Sequence, residues 1–226
     1  KFVSQNPLRI RTFSKFFEFW TKRSKIQPSI QKKVLDIGCA AGAFPKAAHD
    51  LGFSVVGVEP SKFLCEYGKV KYGLDLRQGV LNEQNFIEGE FNIISMFDVI
   101  EHLVQPGVVL DEIKRVLHTE GHLIVNYPEY DSWPRKLLGM KWPFFLSVHL
   151  FYFTPNSIRN ILKKHGFRVI RIEPYYQTLE LGYVLGRAGQ IFPLAKWIEK
   201  AVKAFGLGGL PFKYYIGQSL VTAKKA

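Results

Sequence analysis

The sequence predicts an α/β fold in which a parallel sheet is covered by helices on both faces. Three observations carry that expectation. Short apolar strands alternate with helical stretches at intervals of 20 to 30 residues, the pattern of strand–helix–strand units. The run VLDIGCAAGA at 34–43 passes from an apolar strand into a helix through small residues, leaving helix N–H groups open to a polar or anionic ligand group. At 226 residues and 47% hydrophobic content, the chain can bury a full sheet within one domain, residues 1–226.

Residues 7–25 place Phe13, Phe16, Phe17 and Trp20 on one side of a basic helix, read as a cover over the domain edge within residues 1–30, with a membrane-surface helix as the alternative. Residues 34–37 form the first strand. A helix at 44–51 follows, with Pro45 in its opening turn and Gly52 as its stop. The second strand, 54–58, ends at Glu59, and a helix runs from near Ser61 to Tyr72. Strands at 74–78 and 91–95 come next, then an amphipathic helix at 106–118 that Gly121 stops, and a fifth strand at 122–126. Residues 127–153 break the rhythm with Pro128, Trp133, Pro134, Trp142, Pro143 and clustered Phe and Tyr, an inserted lid. Thr154 and Pro155 open a helix that ends at Gly166, and residues 167–172 are the sixth strand. Apolar and basic helices occupy 179–205 within an insertion reaching 210, before a last strand near 216–223.

Charge is unevenly spread. The net +12 divides into +8 over residues 1–33, −8 over 34–131 and +12 over 132–226. Basic flanks around an acidic centre suit solvated surface, an anionic substrate, a membrane face or nucleic acid. No uncharged apolar run reaches the ~20 residues that span a bilayer, and no signal peptide is visible. Cys39 and Cys65 have no metal spacing and suit reduced thiols in a cytoplasmic protein. A first residue of Lys1 rather than Met points to a start inside a longer gene product.

The motifs VLDIGCAAG, VVGVEPS, FNIISMFDVIEHL and GHLIVNYP, with the later HLFYFTPNSIRNILKKHGF, resemble class I S-adenosylmethionine-dependent methyltransferases, in a branch acting on small molecules, lipids and sugar-containing substrates. The resemblance spans about residues 30–175. It implies a Rossmann-like, open, mostly parallel seven-stranded sheet with an antiparallel last strand, and a cofactor-binding core at 31–126. The dinucleotide fingerprint G-x-G-x-x-G fails here, because Ala40 and Ala43 replace its second and third glycines. The methyltransferase pattern also has Gly at position 40, a small departure.

By this resemblance S-adenosyl-L-methionine is the cofactor and S-adenosyl-L-homocysteine the product. Asp36 would orient the ammonium group, directly or through water, beside the turn of Gly38, Cys39, Ala40 and Gly42. Glu59, with Pro60 after it, would accept both ribose hydroxyls; a solvated strand-end acid is the bland alternative. Many relatives hold the adenine amino group with an acid after the third strand. This chain has Gly79, Val80 and Leu81 there, leaving backbone groups and apolar contact from Val80 and Leu81. Phe97 and Asp98 would border the methionine portion, with helix capping as the other role open to Asp98.

Methyl transfer to oxygen needs an aligned acceptor and a base for its proton. His102, after strand four, and His149, in the aromatic stretch, are the candidate bases, and structural roles stand equally open for both. Asn126 and Tyr127 end strand five at the expected acceptor pocket. No pair of histidines has a zinc-binding spacing, so no metal is expected. The aromatic lid suits an apolar or ring-shaped acceptor, or packs as a satellite core. Basic ends and apolar C-terminal helices suit a lipid-linked or phosphate-bearing acceptor and leave a peripheral membrane contact open. Oxygen methylation of a small-molecule or lipid/sugar-linked acceptor is therefore the leading reading. Nucleic-acid methylation is weakened by Ser95–Met96–Phe97–Asp98 standing where an N-P-P-aromatic motif belongs. A binding protein that keeps the fold without turnover is the third reading.

Overall fold

The computed structural model describes residues 3–190 and 192–226. Helix α1 (Asn6–Arg23) lies first, then β1 (Lys33–Ile37), α2 (Ala43–Asp50), β2 (Ser54–Glu59), α3 (Lys62–Tyr72), β3 (Asp75–Gln78) and β4 (Phe91–Phe97). Helix α4 (Pro106–Val116), β5 (Leu117–Pro128), α5 (Trp133–Leu138), α6 (Pro155–Lys164) and β6 (Phe167–Pro174) follow. The chain closes with β7 (Gln177–Glu180), α7 (Leu181–Ala188), α8 (Pro193–Ala204), β8 (Pro211–Tyr214) and β9 (Gln218–Lys225).

Seven strands make one sheet in the order β3-β2-β1-β4-β5-β9-β6. The pairs from β3 through β5 are parallel, and β9 enters antiparallel between β5 and β6. The fold class expected from the alternating pattern is therefore the one observed. Strand order reverses between β1 and β4, and ligands of open α/β sheets bind outside the carboxyl ends of strands at such a point.

Alternate strand residues feed the two faces, as the period of two requires. Leu35, Ile37, Ile94, Met96, Leu123 and Val125 pack with Leu110 and Ile113 of α4 and Ile158 and Leu162 of α6. Val34, Ile93 and Ile124 pack on the other face with Phe17 and Trp20 of α1 and Phe44 of α2. Trp20 Nε1 donates to Thr222 Oγ1 at 3.0 Å, satisfying a buried indole.

Several element boundaries differ from the sequence reading. Helix α4 stops at Val116, and Gly121 lies inside a longer β5 rather than ending the helix. There the register shifts between Phe91 and Ile93, and a β-carbon at 121 would strike the Leu117 side chain and the His118 carbonyl. The insertion around 179–210 is framed by an unanticipated two-stranded antiparallel sheet, β7 with β8. Its strands are only four residues long, too short for periodicity to report. No helix among the described residues is long and apolar enough to cross a membrane.

Candidate active site

The turn between β1 and α2 takes up left-handed backbone three times. Gly38 (φ +70°) and Gly42 (φ +78°) do so freely, whereas Ala40 (φ +48°) does so under strain. A β-carbon at Gly38 would also collide with the Val99 side chain. The Gly38 and Cys39 N–H groups donate to the Val58 carbonyl at 2.8 and 3.1 Å, pinning the turn to the end of β2.

Glu59 completes this clamp. Its Oε2 accepts from the Ala40 N–H at 2.9 Å and its Oε1 from the Ser61 N–H at 2.9 Å. An ionised carboxylate offers about four acceptor positions, so one on each oxygen is left for ligand hydroxyls. Pro60 is exposed beside it.

Three residues expected at the cofactor have buried side chains. Cys39 is buried against Cys65, Leu74 and Leu76, under the sheet edge, so only its backbone faces the cleft. Leu81 is buried in the main core, which leaves Val80, exposed, as the apolar cover for a base. Asp36 is buried and pairs with Ser95, whose hydroxyl donates to Asp36 Oδ1 at 2.6 Å across the β1–β4 register. Burial lifts the Asp36 carboxyl to about 8; the Ser95 bond pulls it down and the Glu59 charge adds a little upward.

Asp98 stands at the end of β4 in left-handed backbone (φ +55°), a strained conformation of the kind that collects at functional sites. Protein crowding raises its carboxyl to about 6, opposed by the charges of Arg9 and His102 and by a hydrogen bond from Gln218. The residue still meets solvent in the open cleft, which moderates that shift. A buried amide chain holds it. Gln218 Nε2 donates to Asp98 Oδ1 and, at 3.1 Å, to Asn126 Oδ1. Gln177 Nε2 donates to Gln218 Oε1, and the Tyr214 hydroxyl donates to Gln177 Oε1 at 3.0 Å. The Phe97 ring packs against α1 and α2, 4.8 Å from Phe13 and 4.9 Å from Phe44, and lines a small pocket with Arg9 and Asp98.

Arg9 and Asp98 open onto a cavity of about 480 Å³. Trp142, Phe144 and Phe145 of the lid wall one side; Tyr183, Val184 and Arg187 of α7 wall the other, with Phe192 and Tyr214 nearby. Arg9, Gln177, Gln218 and Tyr214 were missed by sequence reasoning. Only a polar Gln opening the last apolar strand hinted at any of them.

The two histidines meet, but behind the lid wall. Their ring centroids are 4.7 Å apart, and His149 stacks at 6.3 Å on Phe144, which lines the cavity. His102 Nδ1 lies 2.9 Å from the Val148 carbonyl, which can only accept, so Nδ1 carries the proton and Nε2 keeps a free lone pair. Burial, then the neighbouring His102 charge, lowers the His149 pKa, while a backbone bond at Phe144 raises it. Both carboxylate oxygens of Glu101 and the Nδ1 of His149 are buried without a partner. Burial and then Asp98 lift the Glu101 carboxyl to about 8. One ligand atom from each of Glu101, His102 and His149 lies within 4.8 Å of the others, a donor set able to hold a divalent cation. Histidine spacing could not reveal it, because the lid brings His149 back from far along the chain. Tyr127, expected at the acceptor pocket, is instead fully buried in the core.

Residues 4–172 match the family model described as a methyltransferase domain. The chain is 24% identical over 157 residues to a ubiquinone biosynthesis O-methyltransferase of Bartonella quintana (strain Toulouse), an alignment covering 64% of each protein. It is 28% identical over 181 residues to the mitochondrial ubiquinone biosynthesis O-methyltransferase of Schizosaccharomyces pombe, covering 70% of this chain and 63% of that one. The chain thus spans just under two thirds of the length of these relatives. Among solved structures, a SAM-dependent methyltransferase from Archaeoglobus fulgidus superposes with a TM-score of 0.63 at 15% identity over 94% of both chains, a likeness of fold. A family match over most of the chain, a clamp of turn and carboxylate at the sheet's reversal point, and the shared fold lead to one assignment: the chain belongs to the methyltransferase-domain family, the class I S-adenosylmethionine-dependent methyltransferases.

Proposed function

We propose that this chain transfers the methyl group of S-adenosyl-L-methionine to an oxygen of a small-molecule acceptor, of an amphiphilic or lipid/sugar-linked kind. The observation that carries this reading is Asp98, which directly follows β4, precedes the Val99 that packs on Gly38 of the turn, and opens onto the aromatic cavity. A group bound in that cavity would lie next to a sulfonium held over the turn.

In this reading Glu59 takes the ribose hydroxyls with its two spare acceptor positions, and Val80 covers the adenine. Asp98 faces the cofactor's positive charge, and Arg9 meets its carboxylate. Asp36 acts from below the turn, through water, since its side chain is engaged by Ser95. His102, its tautomer set by Val148 and His149 beside it, is the base proposed for the acceptor proton, met at Nε2 by an acceptor oxygen that reaches past Phe144. The aromatic walls exclude water and favour a planar or apolar acceptor. Free, buried Cys39 and Cys65 support a reducing, cytoplasmic setting. The oxygen preference rests on what the named relatives are called, and an amphiphilic acceptor on the apolar cavity with Arg9, Lys141 and Arg187 around it.

The decisive experiment is calorimetry with S-adenosylmethionine and S-adenosylhomocysteine. Binding is expected for the wild type. Glu59→Ala should weaken it about a hundredfold, the scale of two hydrogen bonds to a charged group. No heat from a folded sample with either ligand would overturn the reading.

A further inference from the structure

Helix α8 turns its large apolar side chains to the surface. Its positions Leu194, Trp197, Ile198 and Phe205 just beyond it recur at helical spacing and are 70%, 71%, 45% and 79% exposed. The side turned to the protein is mixed: Ala195 is buried there, and Glu199 and Val202 are half-buried. Lys196, Glu199 and Lys203 lie against Gly189, Gly186 and Gly182 of the α7 segment, whose missing side chains leave room for the lysine and glutamate stems. Glu199, the one acid of α8, is turned inward and paired with Lys203 at 2.5 Å. A surface helix in water does the reverse, because apolar area exposed to water is unfavourable at about 25 cal/mol per Å².

What covers this face must accept large apolar side chains and lysines together. Lys200 stands on the same side, its ammonium 5.4 Å from the Trp197 ring, and Leu207, Leu210, Phe212 and Lys213 continue the exposed surface. Cores of protein interfaces are depleted in lysine. An interfacial helix has this mixture: Trp and Phe sink to the boundary of the acyl chains, and lysines reach anionic headgroups. The segment from Leu181 to Lys213 carries five basic residues and one acid, which complements a negative surface.

We propose that the outer face of α8, with the 205–213 turn, docks this protein on an anionic lipid bilayer. Phe192, just ahead of α8, also lines the acceptor cavity, and α7 forms its wall. Docking would therefore set the cavity beside the lipid, and an amphiphilic acceptor would enter it without crossing water. That delivery step rests on the acceptor proposed above; the docking itself does not.

The test is co-sedimentation with vesicles of phosphatidylcholine alone and of phosphatidylcholine mixed equally with phosphatidylglycerol. Wild type should pellet with the mixed vesicles at least tenfold more strongly than with the neutral ones, and high salt should release it. Trp197→Glu with Phe205→Glu should lose this binding at least tenfold while keeping its circular dichroism and its calorimetric affinity for S-adenosylmethionine. Lys200→Glu should lose part of it. Failure of wild type to pellet with either vesicle would overturn the proposal, as would binding that the double variant leaves intact. A concentration-dependent dimer that the double variant abolishes would overturn it in favour of a second copy covering the face. Cofactor affinity is read in the same samples, so loss of docking and loss of the methyl-transfer reading are told apart.

Discussion

Ala40 occupies a backbone conformation (φ +48°) that glycine adopts freely, at a position where the methyltransferase resemblance implies glycine. Left-handed backbone costs an L residue roughly 1 kcal/mol, and Gly costs the unfolded chain a similar entropy. Ala40→Gly should therefore leave the Tm unchanged or slightly higher, whereas Ala→Gly inside a helix would lower stability by about 1 kcal/mol. Thermal melting decides between them. His102 offers a second residue-scale test, because its protonated Nδ1 leaves Nε2 as the acceptor. His102→Gln should lower kcat by about 10²–10⁴-fold in an assay of S-adenosylhomocysteine release with a panel of phenols, and leave cofactor affinity intact. If a chelator abolishes wild-type turnover equally, the cluster with Glu101 and His149 holds a cation and His102 is a ligand rather than a base.

At the scale of elements, the lid and its exit are held by local chemistry. The Glu101 carbonyl accepts from the Leu150 and Phe151 N–H groups at 2.8 and 3.2 Å, tying the returning lid segment to the turn after β4. Thr154 then starts α6: its Oγ1 accepts from the Ser157 N–H at 3.1 Å, and Ser157 Oγ accepts from the Thr154 N–H at 2.8 Å. Thr154→Ala should cost about 1 kcal/mol in denaturant melts. Because α6 buries Ile158 and Leu162 in the main core, that loss should appear in global unfolding rather than as local fraying.

For the whole molecule, the buried acids set a slope of stability with pH. Asp36 holds a carboxyl raised from 3.8 to about 8 in the folded chain. Between those values the folded protein keeps a proton that the unfolded chain has lost, so stability falls as pH rises through this window. Glu101 acts in the same direction. Asp36→Asn should remove part of the slope. Its Tm relative to wild type should be higher at pH 8 than at pH 5, read by thermal melts of the protein without cofactor. His122 works oppositely: buried and lowered to about 4, it must charge on unfolding in acid, so it withdraws stability as pH falls below 6.5.

The sequence by itself determined the α/β class and most of the strand–helix alternation, because those rest on periodicity within a few residues: the apolar runs, Thr154 with Pro155, and the small residues from Gly38 to Gly42. It also placed Glu59 at the end of the second strand, where its carboxylate meets the turn. Only the tertiary structure decided which side chains face the cleft. Cys39 and Leu81 turned into the core, Arg9 and Gln218 were brought to Asp98 from the two ends of the chain, and His149 was carried back onto His102. The outward turn of the apolar face of α8 was equally hidden, since periodicity reports that a helix has two faces but not which one meets the protein. Local pattern fixes what a segment is, and its contacts with distant segments fix where each side chain points.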